Sequence, residues 1–195
     1  MIERKLILFE KPGPECTGQA LRAAAERARE LGIRDVVVAS STGQTALRAA
    51  DAFAGQSPNL VAVTLMAGVW KQYGGPDPEK VRQAEAKGVR FLTATHALMG
   101  NVENALMTKF GGIWPGNVIA YTLYLFGQGM KVAVEVAVMA ADAGLISSER
   151  ECIALAGSDS GADAAIVLKP ACSNHLFDLQ VREVICMPRE KRSGP

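Results

Sequence analysis

The stretch VVVASSTGQTALRAA, residues 36–50, decides the fold class. Its valines are typical of a buried strand, and its alanine-rich second half has the pattern of a helix. Only four small residues, Ser40, Ser41, Thr42 and Gly43, separate the two patterns. A strand that runs so directly into a helix indicates a βα unit of a parallel sheet.

The same alternation recurs along most of the chain and predicts one domain over residues 1–195, with a flexible tail at 188–195. We predict strands at residues 5–9, 35–40, 59–66, 89–95, 152–157, 163–169 and 179–187. We predict helices at residues 18–31, with Thr17 as N-cap and Gly32 at the end, and at 43–54, 77–88, 101–110, 117–126 and 130–144. The last helix is apolar nearly all round, which predicts an interior position. The fold class is therefore α/β, with three α/β/α layers and a central, mainly parallel sheet.

Composition restricts the functional class. The net charge of +1 gives no broad field for nucleic acid. The longest apolar region, residues 118–146, contains Glu135 and Asp142 and does not predict a membrane span, and the N-terminal apolar run is too short for a signal peptide. Four scattered cysteines predict reduced thiols and no metal site. We expect a cytoplasmic protein.

The residues between the first βα pair are candidates for an anion site, because ligands collect outside the carboxyl ends of parallel strands. Residues 40–45, here called the Ser/Thr turn, are Ser40, Ser41, Thr42, Gly43, Gln44 and Thr45. Their hydroxyls and the unpaired N–H groups of the helix N-terminus suit a phosphate, and Gly43 would let the ligand approach the backbone. The alternative is that Ser41 or Thr42 only caps the helix.

A second group of candidates lies elsewhere. Residues 157–163, here called the late loop, read GSDSGAD, and Gly157, Ser158, Ser160 and Gly161 are predicted to form a second wall of the site. His96 follows a strand and is a candidate for a contact to the polar end of a ligand or for acid/base chemistry, with a structural histidine as the alternative. His175 is placed near the late loop as a weaker candidate.

Two other patterns have structural alternatives. Trp70 and Tyr73 follow a strand, where they could stack on a planar ring or simply anchor a surface loop. Glu135 and Asp142 lie on one helical face, but Lys131 is four residues before Glu135, so an internal ion pair is favoured over paired catalytic carboxylates. No residue is assigned to catalysis.

Two resemblances bear on the ligand. The order Ser40-x-Thr42-Gly43-x-Thr45 resembles the phosphate loop of flavodoxins. Residues 36–66 resemble the C-terminal α/β domain of pyruvate kinases, which binds an allosteric sugar phosphate partly through such a loop. FEKPGPECT, ERARELGI, VEVAVMAADAG, GADAAIVLKPA and VREVICMPR resemble a stand-alone archaeal and bacterial family of pyruvate kinase α/β domain proteins.

The longer resemblance implies a three-layer α/β fold and, because some family members bind flavin mononucleotide (FMN), an FMN site. It implies no kinase activity, because pyruvate kinases carry out phosphoryl transfer in a separate barrel. This chain has Cys16-Thr17 where the family tends to have Asn-Thr. Its late loop has Asp159 and Asp163 where relatives can have arginine, so the loop faces another part of the ligand or the ligand is less anionic.

The sequence therefore predicts a protein that binds a phosphorylated small molecule, with FMN as the first candidate cofactor. The alternative function is a regulatory or sensor domain that binds a sugar phosphate without chemistry. Residues 118–143 belong either to the core or in part to a subunit interface. A homo-oligomer is favoured, because this segment has more apolar surface than one side of a small sheet covers.

Overall fold

The computed structural model describes residues 1–190, whose strands form one sheet. The strands are Ile7–Phe9 (β1), Asp35–Ala39 (β2), Asn59–Val63 (β3), Arg90–Leu92 (β4), Cys152–Ala156 (β5), Ala164–Lys169 (β6) and Gln180–Pro188 (β7). The α-helices are Thr17–Leu31 (α1), Gln44–Ala52 (α2), Trp70–Tyr73 (α3), Pro78–Glu85 (α4), Val102–Phe110 (α5), Pro115–Tyr124 (α6) and Gln128–Asp142 (α7). Three 3₁₀ helices span Pro14–Cys16, Ala67–Val69 and Ser173–Asp178.

The sheet has the order β1-β7-β6-β5-β2-β3-β4 and confirms the mainly parallel prediction. β6 is antiparallel to both of its neighbours, and every other pair of neighbouring strands is parallel. The reason is local, since the late loop joins β5 to β6 without a helix, whereas a parallel connection needs a crossover.

Helices cover both faces of the sheet. Val36 and Val38 pack on one side with α1, α2 and α4, and Val37 packs on the other side with α7. This alternation follows from the period of two in a strand. α7 is buried around most of its circumference, as predicted, because α6 and the 3₁₀ helix Ser173–Asp178 also contact it.

The C-terminus of α1 agrees with the prediction, and its N-terminus differs. Gly32 ends the helix with a φ of 67°, as predicted. Thr17 is not the N-cap but the first helical residue, because the 3₁₀ helix Pro14–Cys16 already leads into α1. The Thr17 hydroxyl instead accepts a hydrogen bond from the N–H of Ala162, 3.0 Å away.

The start of the predicted tail belongs to the sheet. Pro188 ends β7, and the N–H groups of Arg189 and Glu190 donate to the carbonyl oxygens of Phe9 and Glu10. Residues 191–195 of the predicted tail lie outside the described residues. Among residues 1–190, no helix has the length and apolar character needed to span a bilayer.

Candidate functional site

The Ser/Thr turn and the late loop lie side by side at the carboxyl edge of the sheet. The turn follows β2 and the loop follows β5, and these two strands are parallel neighbours. From β2 the sheet continues to β3 and β4 in one direction and to β5 in the other. The strand order therefore reverses between β2 and β5, which is where open α/β sheets bind ligands. Here the carboxyl edge of the sheet between the turn and the loop is called the crevice.

Ser40 makes its hydrogen bonds within the protein. Its side chain is buried, and its Oγ accepts a hydrogen bond of 3.1 Å from the N–H of Ala46 in the first turn of α2. Its own N–H donates to the carbonyl of Val63. The Ser40 hydroxyl therefore satisfies one N–H group in the first turn of α2, while the N-cap position itself is Gly43 and not Ser41 or Thr42.

Glycine is needed at position 43 because α4 packs directly against it. Gly43 has a φ of 94°, and a Cβ on it would lie 3.2 Å from Cβ of Lys80 and 3.3 Å from N of Val81. The absence of a side chain at Gly43 therefore allows α4 to pack closely against the turn. The N–H of Asp77 donates to the carbonyl of Thr42 and holds α4 against the turn.

The rest of the turn is available to a ligand. Thr42 and Gln44 are exposed, Ser41 is half-buried, and Thr45 is buried at the start of α2. The N–H of Gln44 makes a long contact of 3.4 Å with the Thr42 hydroxyl, and the N–H of Thr45 has no partner within residues 1–190. The positive end of α2 thus faces the crevice with few internal acceptors.

The late loop is fixed against the start of α1. A Cβ on Gly161 would lie 2.3 Å from the Thr17 hydroxyl and 2.9 Å from Cα of Pro14. Gly157 is similarly close to the carbonyl of Gly161. The loop is therefore packed closely against Thr17 on one side and against its own backbone on the other.

Asp163 turns inward and not toward a ligand. It is fully buried, and its Oδ2 accepts a hydrogen bond of 3.0 Å from the N–H of Ser158. Its Oδ1 lies against the first turn of α7, 2.6 Å from where a Cβ on Gly129 would be. Burial raises the pKa of this carboxyl above the usual range of an aspartic acid. Of the two acidic residues of the loop, only Asp159 is exposed.

His96 has the structural contact that was its alternative role. Its Nε2 accepts a hydrogen bond of 3.2 Å from the N–H of Met66, so the proton of the neutral ring is on Nδ1. Burial lowers the pKa of His96, which keeps the ring neutral near pH 7. The contact fixes the loop after β4 against the loop after β3.

Lys131 and Glu135 form the internal ion pair that the sequence predicts. Lys131 Nζ lies 2.5 Å from Glu135 Oε2, and both side chains are about as buried as the core. Glu135 Oε1 also accepts hydrogen bonds from the N–H groups of Leu98 and Met99. The pair thereby attaches the segment after β4 to α7, and Glu135 has no role as a free carboxylate.

The remaining candidates lie away from the crevice or have structural roles. Trp70 anchors its own loop, because its Nε1 donates to the carbonyl of Leu65, and Tyr73 is exposed. The placement of His175 near the late loop was wrong: it lies in Ser173–Asp178, beyond the far end of β6. Because β6 is antiparallel to β5, it takes the chain to the opposite edge of the sheet.

A groove of about 440 Å³ is lined by α5, α6, the segment Ser173–Asp178, and Ala97 and Leu98 after β4. Two of its polar side chains have partners within the chain: Glu103 accepts a hydrogen bond from the N–H of Gly116, and His175 Nδ1 lies 3.8 Å from Asp178 Oδ2. It lies apart from the crevice between β2 and β5.

Two residues that the sequence reading missed lie beside the crevice. Nη1 of Arg22 and Nη2 of Arg48 both lie within 3.5 Å of where a Cβ on Gly18 would be. The first is on α1 and the second on α2. Residues 26 positions apart on two helices show no local pattern, so only the packing of α1 on α2 could reveal them.

Among residues 1–190, no group of three or more His, Cys, Asp or Glu side chains is arranged to hold a metal ion, and the four cysteines are free. The Cys16 thiol is buried beside Asp163 at the start of α1. Burial and the charge of Glu15 raise the pKa of Cys16, which disfavours a reactive thiolate.

The chain matches a family model and is similar to a solved structure. One solved structure that is similar, "Cryptosporidium parvum pyruvate kinase in complex with ADP", is 20% identical, covers 80% of this chain and 24% of that chain, and has a TM-score of 0.37. This chain therefore spans about a quarter of that pyruvate kinase, and so weak a structural likeness adds nothing about activity. The family model "Pyruvate kinase, alpha/beta domain" matches residues 19–168, a range that runs from α1 to β6. The chain belongs to the pyruvate kinase alpha/beta domain family.

Proposed function

We propose that the protein binds a phosphorylated small molecule in the crevice, with the phosphate on the Ser/Thr turn. The observation that supports this most is the reversal of strand order between β2 and β5, which brings the turn and the late loop together. The donors beside it are those a phosphate takes: the hydroxyls of Ser41 and Thr42 and the N–H of Thr45 at the start of α2.

FMN is the ligand we propose first, because FMN-binding proteins occur in the stand-alone family that the sequence resembles. The donor set of the turn fits its phosphate, and the inward position of Asp163 removes one of the two negative charges that would oppose it. When bound, FMN supplies hydride or single-electron transfer. The role of the chain in this proposal is to hold the phosphate, and no side chain is assigned to a reaction.

The first test is the absorbance of the purified protein in the flavin bands, with mass spectrometry of any released ligand. FMN is then titrated against wild-type protein and Thr42→Ala. Hydrogen bonds to charged groups contribute about 1.5–3 kcal/mol, so we expect Thr42→Ala to weaken FMN binding by roughly tenfold or more.

Riboflavin is the matched control, because it lacks only the phosphate. Thr42→Ala should leave riboflavin binding unchanged if the turn holds the phosphate. A colourless protein that also fails to bind added FMN would exclude FMN. Thermal stabilisation by sugar phosphates in that case would support the sensor function instead.

We also propose that α5, α6 and the loop between them contact a second copy of the chain. Exposed apolar side chains are concentrated there: Val102, Phe110, Ile113, Val118, Tyr121, Leu125 and Phe126. Only Glu103 and Lys109 are charged between residues 97 and 130. Seven such side chains supply roughly 800 Å² of surface, which is what one partner of a standard interface buries.

Light scattering after size-exclusion chromatography tests the assembly. Ile113 is 82% exposed, so Ile113→Glu should fold normally and reduce the mass to that of a monomer. Tyr73→Glu is the control, because Tyr73 is also exposed but lies on α3. A monomeric wild-type protein would contradict the proposal.

A further inference from the structure

Arg22 and Arg48 form a pair of cations that the fold leaves without internal partners. Their guanidinium groups converge over Gly18, at 3.4 Å and 3.5 Å from the position of a Cβ on that residue. Within residues 1–190, neither guanidinium makes a hydrogen bond or an ion pair. By contrast, Arg27, also on α1, binds both Glu30 and Glu183.

No ion pair among residues 1–190 neutralises the two guanidiniums. Asp51, three residues after Arg48, forms an ion pair with Lys87 instead. Gly18 is the second residue of α1, whose N-cap residue Cys16 supplies no side-chain hydrogen bond. The positive end of α1 therefore adds to the charge of two guanidiniums that repel each other.

The pair also borders both walls of the crevice. Arg48 is one helical turn beyond Gln44 of the Ser/Thr turn, and its side chain reaches back to α1. Thr17, directly before Gly18, holds the late loop through the N–H of Ala162. Arg22 is exposed and Arg48 half-buried, so an incoming ligand can reach both.

We propose that Arg22 and Arg48 form a second oxyanion subsite, which binds a phosphoryl group at the rim of the crevice. Two guanidinium groups on different helices offer two sets of donors, and a tetrahedral phosphoryl group has enough oxygens to accept from both. That this subsite belongs to the ligand site in the crevice rests on the proposed function. That the pair binds a phosphoryl group does not rest on it, because this part of the proposal is argued only from the two guanidiniums without partners.

Inorganic diphosphate is the probe, with thermal unfolding measured at constant ionic strength against chloride. Wild-type protein should be stabilised in a concentration-dependent way. Arg22→Gln and Arg48→Gln should each weaken the apparent affinity by about tenfold or more, since each removes charge-assisted hydrogen bonds. Arg29→Gln, an exposed arginine in the last turn of α1, controls for the loss of one positive charge.

A gain-of-charge variant gives an independent readout. Gly18→Asp places a carboxylate between the two guanidiniums, so it should raise the melting temperature without diphosphate and weaken the response to diphosphate at least as much as the two Arg→Gln variants do. Gly18→Asn has the same shape without the charge and should keep the response. The proposal is overturned if wild-type protein does not respond to diphosphate, or if the two Arg→Gln variants respond like Arg29→Gln. Failure of FMN to bind leaves this test unaffected, because diphosphate is its only ligand.

Discussion

Replacement of Glu135 by alanine is expected to lower the free energy of unfolding by about 3–5 kcal/mol, the range observed when one partner of a buried ion pair is removed. The variant leaves the Lys131 ammonium buried without its carboxylate. It also removes the acceptor of the N–H groups of Leu98 and Met99. Urea denaturation of the two proteins measures the difference.

Glu103→Ala is the matched control for this prediction. Glu103 also accepts a backbone hydrogen bond, from Gly116, but it is only partly buried and has no buried cation beside it. Its loss should cost about 1 kcal/mol. The double variant Lys131→Met with Glu135→Gln should lose less free energy of unfolding than the sum of the losses of the two single variants. Each single variant already breaks the ion pair, so the second change does not break it again. A Glu135→Ala cost no larger than that of Glu103→Ala would contradict the prediction.

The second large effect is expected at Gly161, where alanine should cost about 2–5 kcal/mol. The φ of 73° disfavours any residue with a Cβ by roughly 1–2 kcal/mol. In addition, the Cβ would overlap the Thr17 hydroxyl and Cα of Pro14, and such overpacking costs about 1–3 kcal/mol. Chemical denaturation measures the total.

Gly32→Ala separates the two causes. Gly32 has a φ of 67° and no atom within 4 Å of the Cβ position, so its substitution has the backbone cost alone. The difference between the two variants is therefore the cost of moving the late loop away from α1. Equal losses of stability at Gly161 and Gly32 would show that the loop is not fixed by Thr17.

The secondary structure was accessible from the sequence because its signals are local. The end of α1 at Gly32 and the buried valines of β2 follow from neighbouring residues, and so does the interior position of α7. The N-terminus of α1 was wrong because a 3₁₀ helix precedes it. The position of His175 was wrong because it depends on the direction of β6, which pairing with β5 decides.

The candidate site was only partly accessible for the same reason. The Ser/Thr turn and the late loop have recognisable compositions, and the structure places them on neighbouring strands. The roles of their residues were not recognisable: Ser40 accepts a hydrogen bond from Ala46 of α2, Gly43 accommodates α4, and Asp163 is buried. Each role depends on a partner distant in the chain or on the way the turn folds.

The sequence by itself determined the order of the strands and of the longer helices, the mainly parallel character of the sheet and the polar turn at the start of α2, because each follows from periodicity or from residues adjacent in the chain. Only the tertiary structure decided which groups remain available to a ligand. Burial and hydrogen bonding engage Ser40, His96 and Asp163 within the protein. The packing of α1 on α2 leaves Arg22 and Arg48 side by side without a carboxylate, because a long-range contact sets which charges meet.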